Sequence, residues 1–196
     1  MKPEDQFIEF IAEKYSQISI DKDKITELDL GCGKGSFTTQ LATKYPDRVI
    51  FAADIMLGRL RKLYKRNERS GIKNMRLLRC EAWHLINQSI PDSSLNRIHI
   101  LCPDPWPKSR HKGNRLVSSE FVSRLYNKIK ENGVFHFSSD DIPYFTLALE
   151  VLGKSGLFIR DDSKLNDISN IKTDFEERWN EMGLEVFHSA WIKKSI

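Results

Sequence analysis

With 196 residues, 40% of them hydrophobic and 30% charged, the chain is long enough for one domain with a real core and too short for two ordinary ones, which predicts a single domain over 1–196; the balance excludes a disordered or fibrous protein. A net charge of +4 is mildly basic and compatible with a polyanionic partner. No apolar run reaches the roughly 18 residues that span a bilayer, and three scattered cysteines, Cys32, Cys80 and Cys102, form no C-x-x-C pair, disulfide framework or zinc site, so a cytoplasmic location is expected.

The opening stretch, residues 1–20, carries acidic residues among apolar ones and lacks the h-region of a signal peptide. It predicts a peripheral helix packed through Phe7, Ile8, Phe10 and Ile11. "ITELDL" (25–30) reads as a buried strand, followed by the glycine-rich "GCGKG" and a helix, "SFTTQLATKY". "RVIFAADI" (48–55) is a second strand. "LGRLRKLYKRNERSG" is a basic helix stopped by Gly71, its charges forming an outer face. "MRLLRCEA" (75–82) is a third strand, with a short helical piece after it. "LNRIHILCP" (95–103) is the fourth strand and runs into "CPDPWPKSRHKGNRL". "SSEFVSRLYNKIKENG" predicts a helix with Ser118 or Ser119 as N-cap and Gly133 as stop. "VFHFSSD" (134–140) is a fifth strand, and "YFTLALEVLGKSG" a helix with another glycine stop. "LFIRDD" and "LEVFHSAWIKK" close the chain as two strands, with "TDFEERWNEMG" between them. Alternation of this kind predicts one doubly wound, Rossmann-like α/β domain. Its sheet has seven strands, mostly parallel, with an antiparallel edge near the C-terminus.

The glycines Gly31, Gly33 and Gly35 let a backbone turn sharply and approach a ligand. Asp29 precedes them, and Asp54 ends the second strand, where an acid reaches ribose hydroxyls. Two cofactors fit such a loop. A dinucleotide wants its third glycine one residue later than Gly35. S-adenosylmethionine is cationic, gains from a carboxylate such as Asp29, and is the better match. Glu81 and Ala82, at the end of the third strand, then lie beside an adenine, with Trp83 or Leu85 covering its ring.

Ligands of open α/β sheets bind beyond the carboxyl ends of the strands, so the proline-stiffened loop aims Asp104 at the methyl donor. Lys108, Arg110, His111, Lys112 and Arg115 carry the electrostatic signature of phosphate contact. Trp106 packs under the loop or stacks on a base. Thr173 is an N-cap with Glu176 three residues on, as in a capping box. His84, His99, His136 and His188 show no metal-ligand spacing and read as core or strand-face residues.

"LDLGCGKGSF", "PDPWPKSRHKGNRL", "SSDDIPYF" and "TDFEER" occur in the order found in the bacterial tRNA (guanine-N7)-methyltransferase family (TrmB type), which the chain resembles from about residue 25 onward. The resemblance implies a class I methyltransferase fold and S-adenosylmethionine as cofactor. It implies methylation of N7 of the guanosine at position 46 in the variable loop of tRNA. By the family's motifs Asp29, Gly31, Gly33, Gly35, Asp54, Glu81 and Ala82 hold the cofactor. Asp104 contacts it and is catalytic. Lys108, Asp140 and the segment Thr173, Asp174, Phe175 and Glu176 meet the substrate, with Arg110 and Arg115 on tRNA phosphates. The basic run is thinner than usual, interrupted by Ser109, Gly113 and Asn114; Asp29 and Asp54 stand where glutamate is common, and Glu81 where aspartate or asparagine is. The expected partner is tRNA, without metal or membrane, for a monomer or homodimer. The residues also fit a methyltransferase of another RNA or a small molecule, or a non-catalytic RNA-binding relative.

Overall fold

The computed structural model describes residues 2–11, 17–106, 110, 113 and 115–195. Among these, eight strands form one sheet in the order β1-β4-β3-β2-β5-β6-β8-β7. They are β1 (Ile8–Phe10), β2 (Thr26–Leu30), β3 (Val49–Asp54), β4 (Met75–Arg79), β5 (Leu95–Leu101), β6 (Ile129–Ser139), β7 (Phe158–Arg160) and β8 (Phe187–Lys193). Helices α1 (Ser36–Lys44), α2 (Leu57–Ser70), the short α3 (Ala82–His84), α4 (Ser119–Lys128), α5 (Ile142–Ser155) and α6 (Asp174–Glu181) connect them.

Both faces of the sheet are covered, so the central strands read as continuous apolar runs rather than alternating ones. On β3, Phe51 and Ala53 join a core with residues of α4 and α5 such as Phe121, Leu125 and Ala148. Ile50 and Ala52 face the other way, toward Leu41 of α1 and Leu60 and Leu63 of α2. Gly71 and Gly156 end α2 and α5 in the left-handed conformation, as expected. Ser118 caps α4 through the N–H of Phe121.

The N-terminal region departs from expectation. Pro3–Phe7 is a 3-10 turn, and Ile8–Phe10 is a strand pairing parallel with Leu77–Arg79. The unpaired edge of β4 satisfies the backbone of this segment better than an isolated helix can. Asp5 binds Arg61 at 2.7 Å and Glu4 binds Lys65 at 3.1 Å, so two charges of α2 staple this turn, Lys65 while staying exposed. Of the predicted packing residues Ile8 is buried, while Phe7 and Phe10 are largely exposed. The count of seven strands is corrected to eight for the same reason.

Gly133 is not a helix stop. Helix α4 ends at Lys128, and Ile129 already pairs with Leu95 of β5. The register then jumps, Arg97 meeting Val134, so 130–133 bulge out of β6 around Asn96. The one antiparallel strand, β8, lies between β6 and β7 rather than at the edge. A 3-10 stretch, Asp162–Ile168, had no counterpart among the predicted elements.

Candidate active site

The carboxyl ends of β2, β3, β4 and β5 open onto two adjoining cavities. The first, about 450 Å³, is lined by Gly31, Asp54, Glu81, Ala82, Asp104 and Trp106 among others. The second, about 340 Å³, lies between the glycine loop and the start of α6, with Asp29, Gly33, Thr173, Asp174 and Phe175 on its wall. Gly31, Arg59, Leu101 and Cys102 belong to both.

All three glycines have positive φ, +89° at Gly31, +57° at Gly33 and +76° at Gly35. A side chain at Gly31 would meet nothing within 4 Å, so the backbone there is open to a ligand. Gly35 differs: an added Cβ would land 2.6 Å from Leu63, so this glycine lets α1 close against α2. Asp54 holds the loop from below, accepting from the Gly33 N–H at 3.0 Å and the Met56 N–H at 2.7 Å. Arg59 reaches the same carboxylate at 3.3 Å. Reading α2 as a basic outer face missed Arg59; its position five residues after Asp54, at the start of the helix, was the available signal.

Asp29 is 2% exposed, and its hydrogen-bond partner is the Thr38 hydroxyl. Burial, with a smaller push from the Asp54 charge and against the Thr38 hydrogen bond, raises its carboxyl to about 7. A cation near this carboxyl would complete its environment.

Glu81 lines the first cavity, and its two oxygens accept from the N–H groups of Trp83 and His84 at 3.0 and 2.9 Å. The carboxylate thus caps α3. The ring-covering expectation for Trp83 and Leu85 is corrected: Trp83 packs edge-on against Phe121, and Leu85 is fully buried in the core. Ala82, Trp106 and Leu116 wall the cavity instead.

Asp104 is exposed at the mouth of the first cavity. Cys102 (φ 46°) and Trp106 (φ 43°) flank it in left-handed conformations rare outside glycine. Such strain persists only where surroundings enforce it. Arg115 supplies one clamp: its Nε donates to the Pro105 carbonyl at 2.8 Å, and its guanidinium lies over the Tyr144 ring. Arg115 therefore ties the loop to α5, a task its place in a basic run did not reveal. Lys108, His111 and Lys112 lie outside the described residues. Arg110 is exposed. Asp140 sits at the end of β6, close enough to Cys102 to raise its thiol, which burial chiefly pushes up to about 12. Burial likewise raises Cys80 to about 11 and Cys32 well above the usual range, so the thiols here are neutral.

Thr173 caps α6, accepting from the Glu176 N–H at 2.9 Å. The reciprocal half of the capping box is absent. Glu176 turns to the other side, to Lys172 at 2.8 Å and His188 at 3.3 Å. Thus Thr173, Asp174 and Phe175 face the glycine loop, and Glu176 does not. Gln40 of α1 fixes this approach by donating to the Lys172 carbonyl at 3.0 Å. Among the described residues no cluster of His, Cys, Asp and Glu has metal-binding form, and no helix is long and apolar enough to cross a membrane.

The fold is that of the class I S-adenosylmethionine-dependent methyltransferases. Solved structures that share it include the 16S rRNA methyltransferase KamB (TM-score 0.65, 16% identity, 88% of this chain and 89% of that one). An Aquifex aeolicus SAM-dependent methyltransferase is similar (TM-score 0.58, 13% identity, 87% and 82%). The family profile described as "Putative methyltransferase" matches residues 23–189. The tRNA (guanine-N(7)-)-methyltransferase of Nitrosomonas eutropha is 32% identical over 86% of this chain and 79% of its own length. That of Thermus thermophilus is 31% identical over 85% of this chain. The chain belongs to the tRNA (guanine-N7)-methyltransferase family. It spans about half the length of the first relatives it matches, 53% for Thermus thermophilus and 55% for Thermotoga maritima.

Proposed function

We propose that the chain transfers a methyl group from S-adenosylmethionine to N7 of a guanosine in tRNA, at position 46 of the variable loop. The observation that carries this reading is the convergence of Asp29, Asp54, Glu81 and Asp104 on adjoining cavities floored by open glycine backbone. The residues fit the donor. Buried Asp29, with no cationic partner among the described residues, favours a positive group, Asp54 and Glu81 retain acceptor lone pairs for hydroxyls and an amine, and Ala82 and Leu116 offer an apolar wall.

When bound, the donor supplies an electrophilic methyl group on a sulfonium. Guanine N7 attacks with an in-plane lone pair and carries no proton, so no general base is needed. No histidine lines either cavity among the described residues, and the neutral thiols are poor nucleophiles. The chain's task is alignment and charge. Asp104, on its strained and clamped loop, accepts N–H groups of the base and stabilises the positive charge that moves onto it; preorganised charge of this kind is often the largest catalytic contribution. Asp140, at the end of β6 near Cys102, is the second acceptor in this reading and selects guanine over adenine. Thr173, Asp174 and Phe175 form the opposite wall, and Lys108, Arg110 and Arg115 hold phosphates, Arg115 through the guanidinium nitrogens not bound to Pro105.

The test is transfer of a labelled methyl group to unmodified tRNA, followed by nucleoside mapping. 7-Methylguanosine is expected at position 46. Asp104→Ala should lower kcat by about 10²-fold or more with the circular dichroism spectrum unchanged. Normal turnover in that variant, or label in another nucleoside, contradicts the assignment.

A further inference from the structure

A line of polar side chains crosses the sheet beside the proposed site, and none of them lines its two cavities. Glu27 on β2, His99 on β5, His136 on β6 and His188 on β8 stand side by side, and Glu176 of α6 closes the line. Glu27 Oε2 lies 3.0 Å from His99 Nε2, and His99 Nδ1 lies 3.0 Å from His136 Nδ1. His136 Nε2 is 2.9 Å from His188 Nδ1, and His188 Nε2 is 3.3 Å from Glu176 Oε1. The first three residues are buried almost completely. The His188 side chain is 28% exposed.

The first three contacts are hydrogen bonds and need one hydrogen each; the fourth, His188 Nε2 to Glu176 Oε1, is an ion-pair contact that attracts only when the ring nitrogen carries a hydrogen. Both end carboxylates are ionised. Burial alone would raise Glu27, but His99, Arg97 and Arg48 outweigh it and leave it at about 2. Glu176 is also held low, by His188 and Lys172 against burial. Ionised carboxylates only accept, and a neutral imidazole carries one N–H. Three rings thus supply three hydrogens for four contacts. With neutral rings one contact lacks its hydrogen whichever end is served first; served from Glu27, His99 donates from Nε2, His136 from Nδ1 and His188 from Nδ1. His188 Nε2 is then a lone pair facing a carboxylate, and a fourth hydrogen is missing there.

Burial keeps His99 and His136 neutral, each held below the usual range. The charges around His188 are Glu176 and Lys172 from the α6 side and Glu185 across the shared cavity of about 410 Å³. His136 faces it from β6. On the adjoining 3-10 stretch Asp162 is bound to Arg160 and to the Ala190 N–H of β8. At the far end Glu27 is closed by Arg48 and Arg97, which also meet Asp167.

We infer that His188 carries the missing hydrogen as an imidazolium and is a positioning residue: its cation clamps Glu176, and through it the Thr173–Phe175 wall of the glycine-loop cavity. Glu176→Gln tests the count, because the amide brings its own N–H and removes the need for an extra proton. Nitrogen-15 spectra of the His99, His136 and His188 rings at pH 7 should show one of the three protonated on both nitrogens in the parent protein and none of them in Glu176→Gln. Three neutral rings in the parent, or an imidazolium unchanged in the variant, overturns the inference.

The effect on the cavity rests on the proposed methyl-donor site. Calorimetry with S-adenosylmethionine should show about five-fold weaker binding in folded His188→Ala. Equal affinity removes the positioning role. No donor binding by the parent protein overturns the proposed function while the ring spectra still decide the proton.

Discussion

Asp29 joins the buried chemistry of the sheet to the proposed methyl donor. Its carboxyl is raised from 3.8 to about 7, first by burial. Between these values the unfolded chain ionises and the folded one does not. Stability is therefore greatest below pH 3.8 as far as this group is concerned, falls as pH rises toward about 7, and stays reduced above it. Asp29→Asn keeps an oxygen for the Thr38 hydroxyl and cannot ionise. It should exceed the parent protein by roughly 2–4 kcal/mol at pH 8, a margin that closes toward pH 4 in urea titrations; a margin independent of pH contradicts the buried acid. A cation bound beside Asp29 would also expel its proton. Near pH 6.5, calorimetric binding of S-adenosylmethionine in buffers of different ionisation enthalpy should then show release of up to one proton, and this release should vanish in the Asn variant. The acid was legible from its place before three glycines. Its protonation was not, because that depends on how completely α1 covers it.

At the scale of elements, glycines separate what local sequence settles from what it does not. Gly71 and Gly156 end helices as read, since a left-handed residue after a helix is a local requirement. Gly133 looked the same in sequence and serves packing instead. A Cβ there would lie 2.9 Å from both the Asn96 and Lys130 carbonyl oxygens and 2.6 Å from Ile129. Gly133→Ala should therefore lower stability by about 1–3 kcal/mol. Gly153 within α5 meets nothing within 4 Å, so Gly153→Ala should raise stability by up to about 1 kcal/mol. Urea midpoints at neutral pH check both, and similar shifts in the two variants contradict the bulge. The N-terminal segment follows the same logic. Phe7, Ile8, Phe10 and Ile11 suit a helix face by spacing, but the open edge of β4 draws Ile8–Phe10 into the sheet. Glu176 completes the pattern: its sequence position says capping box, and its structural neighbours are Lys172 and His188.

For the molecule as a whole, positive charge is the lever on an RNA partner. Arg61 and Lys65 are bound to Asp5 and Glu4 and contribute less than a count of basic residues suggests. With three to four phosphates neutralised, tRNA affinity should fall roughly 50-fold between about 50 and 200 mM salt; filter binding over that range measures it, and a flat response removes the basic loop from the interface. The order of apolar runs and glycine turns determined the alternation of strands and helices and the carboxylates at the strand ends, because those signals act over a few residues. The resemblance carried by short motifs added the chemistry of the site. The tertiary arrangement alone decided the eighth strand, the inner place of β8, the clamp by Arg115 and the histidine line from Glu27 to Glu176. Each joins residues far apart in the chain, and what selects their pairing is burial and the demand for hydrogen-bond partners at a shared interface, which no single segment contains.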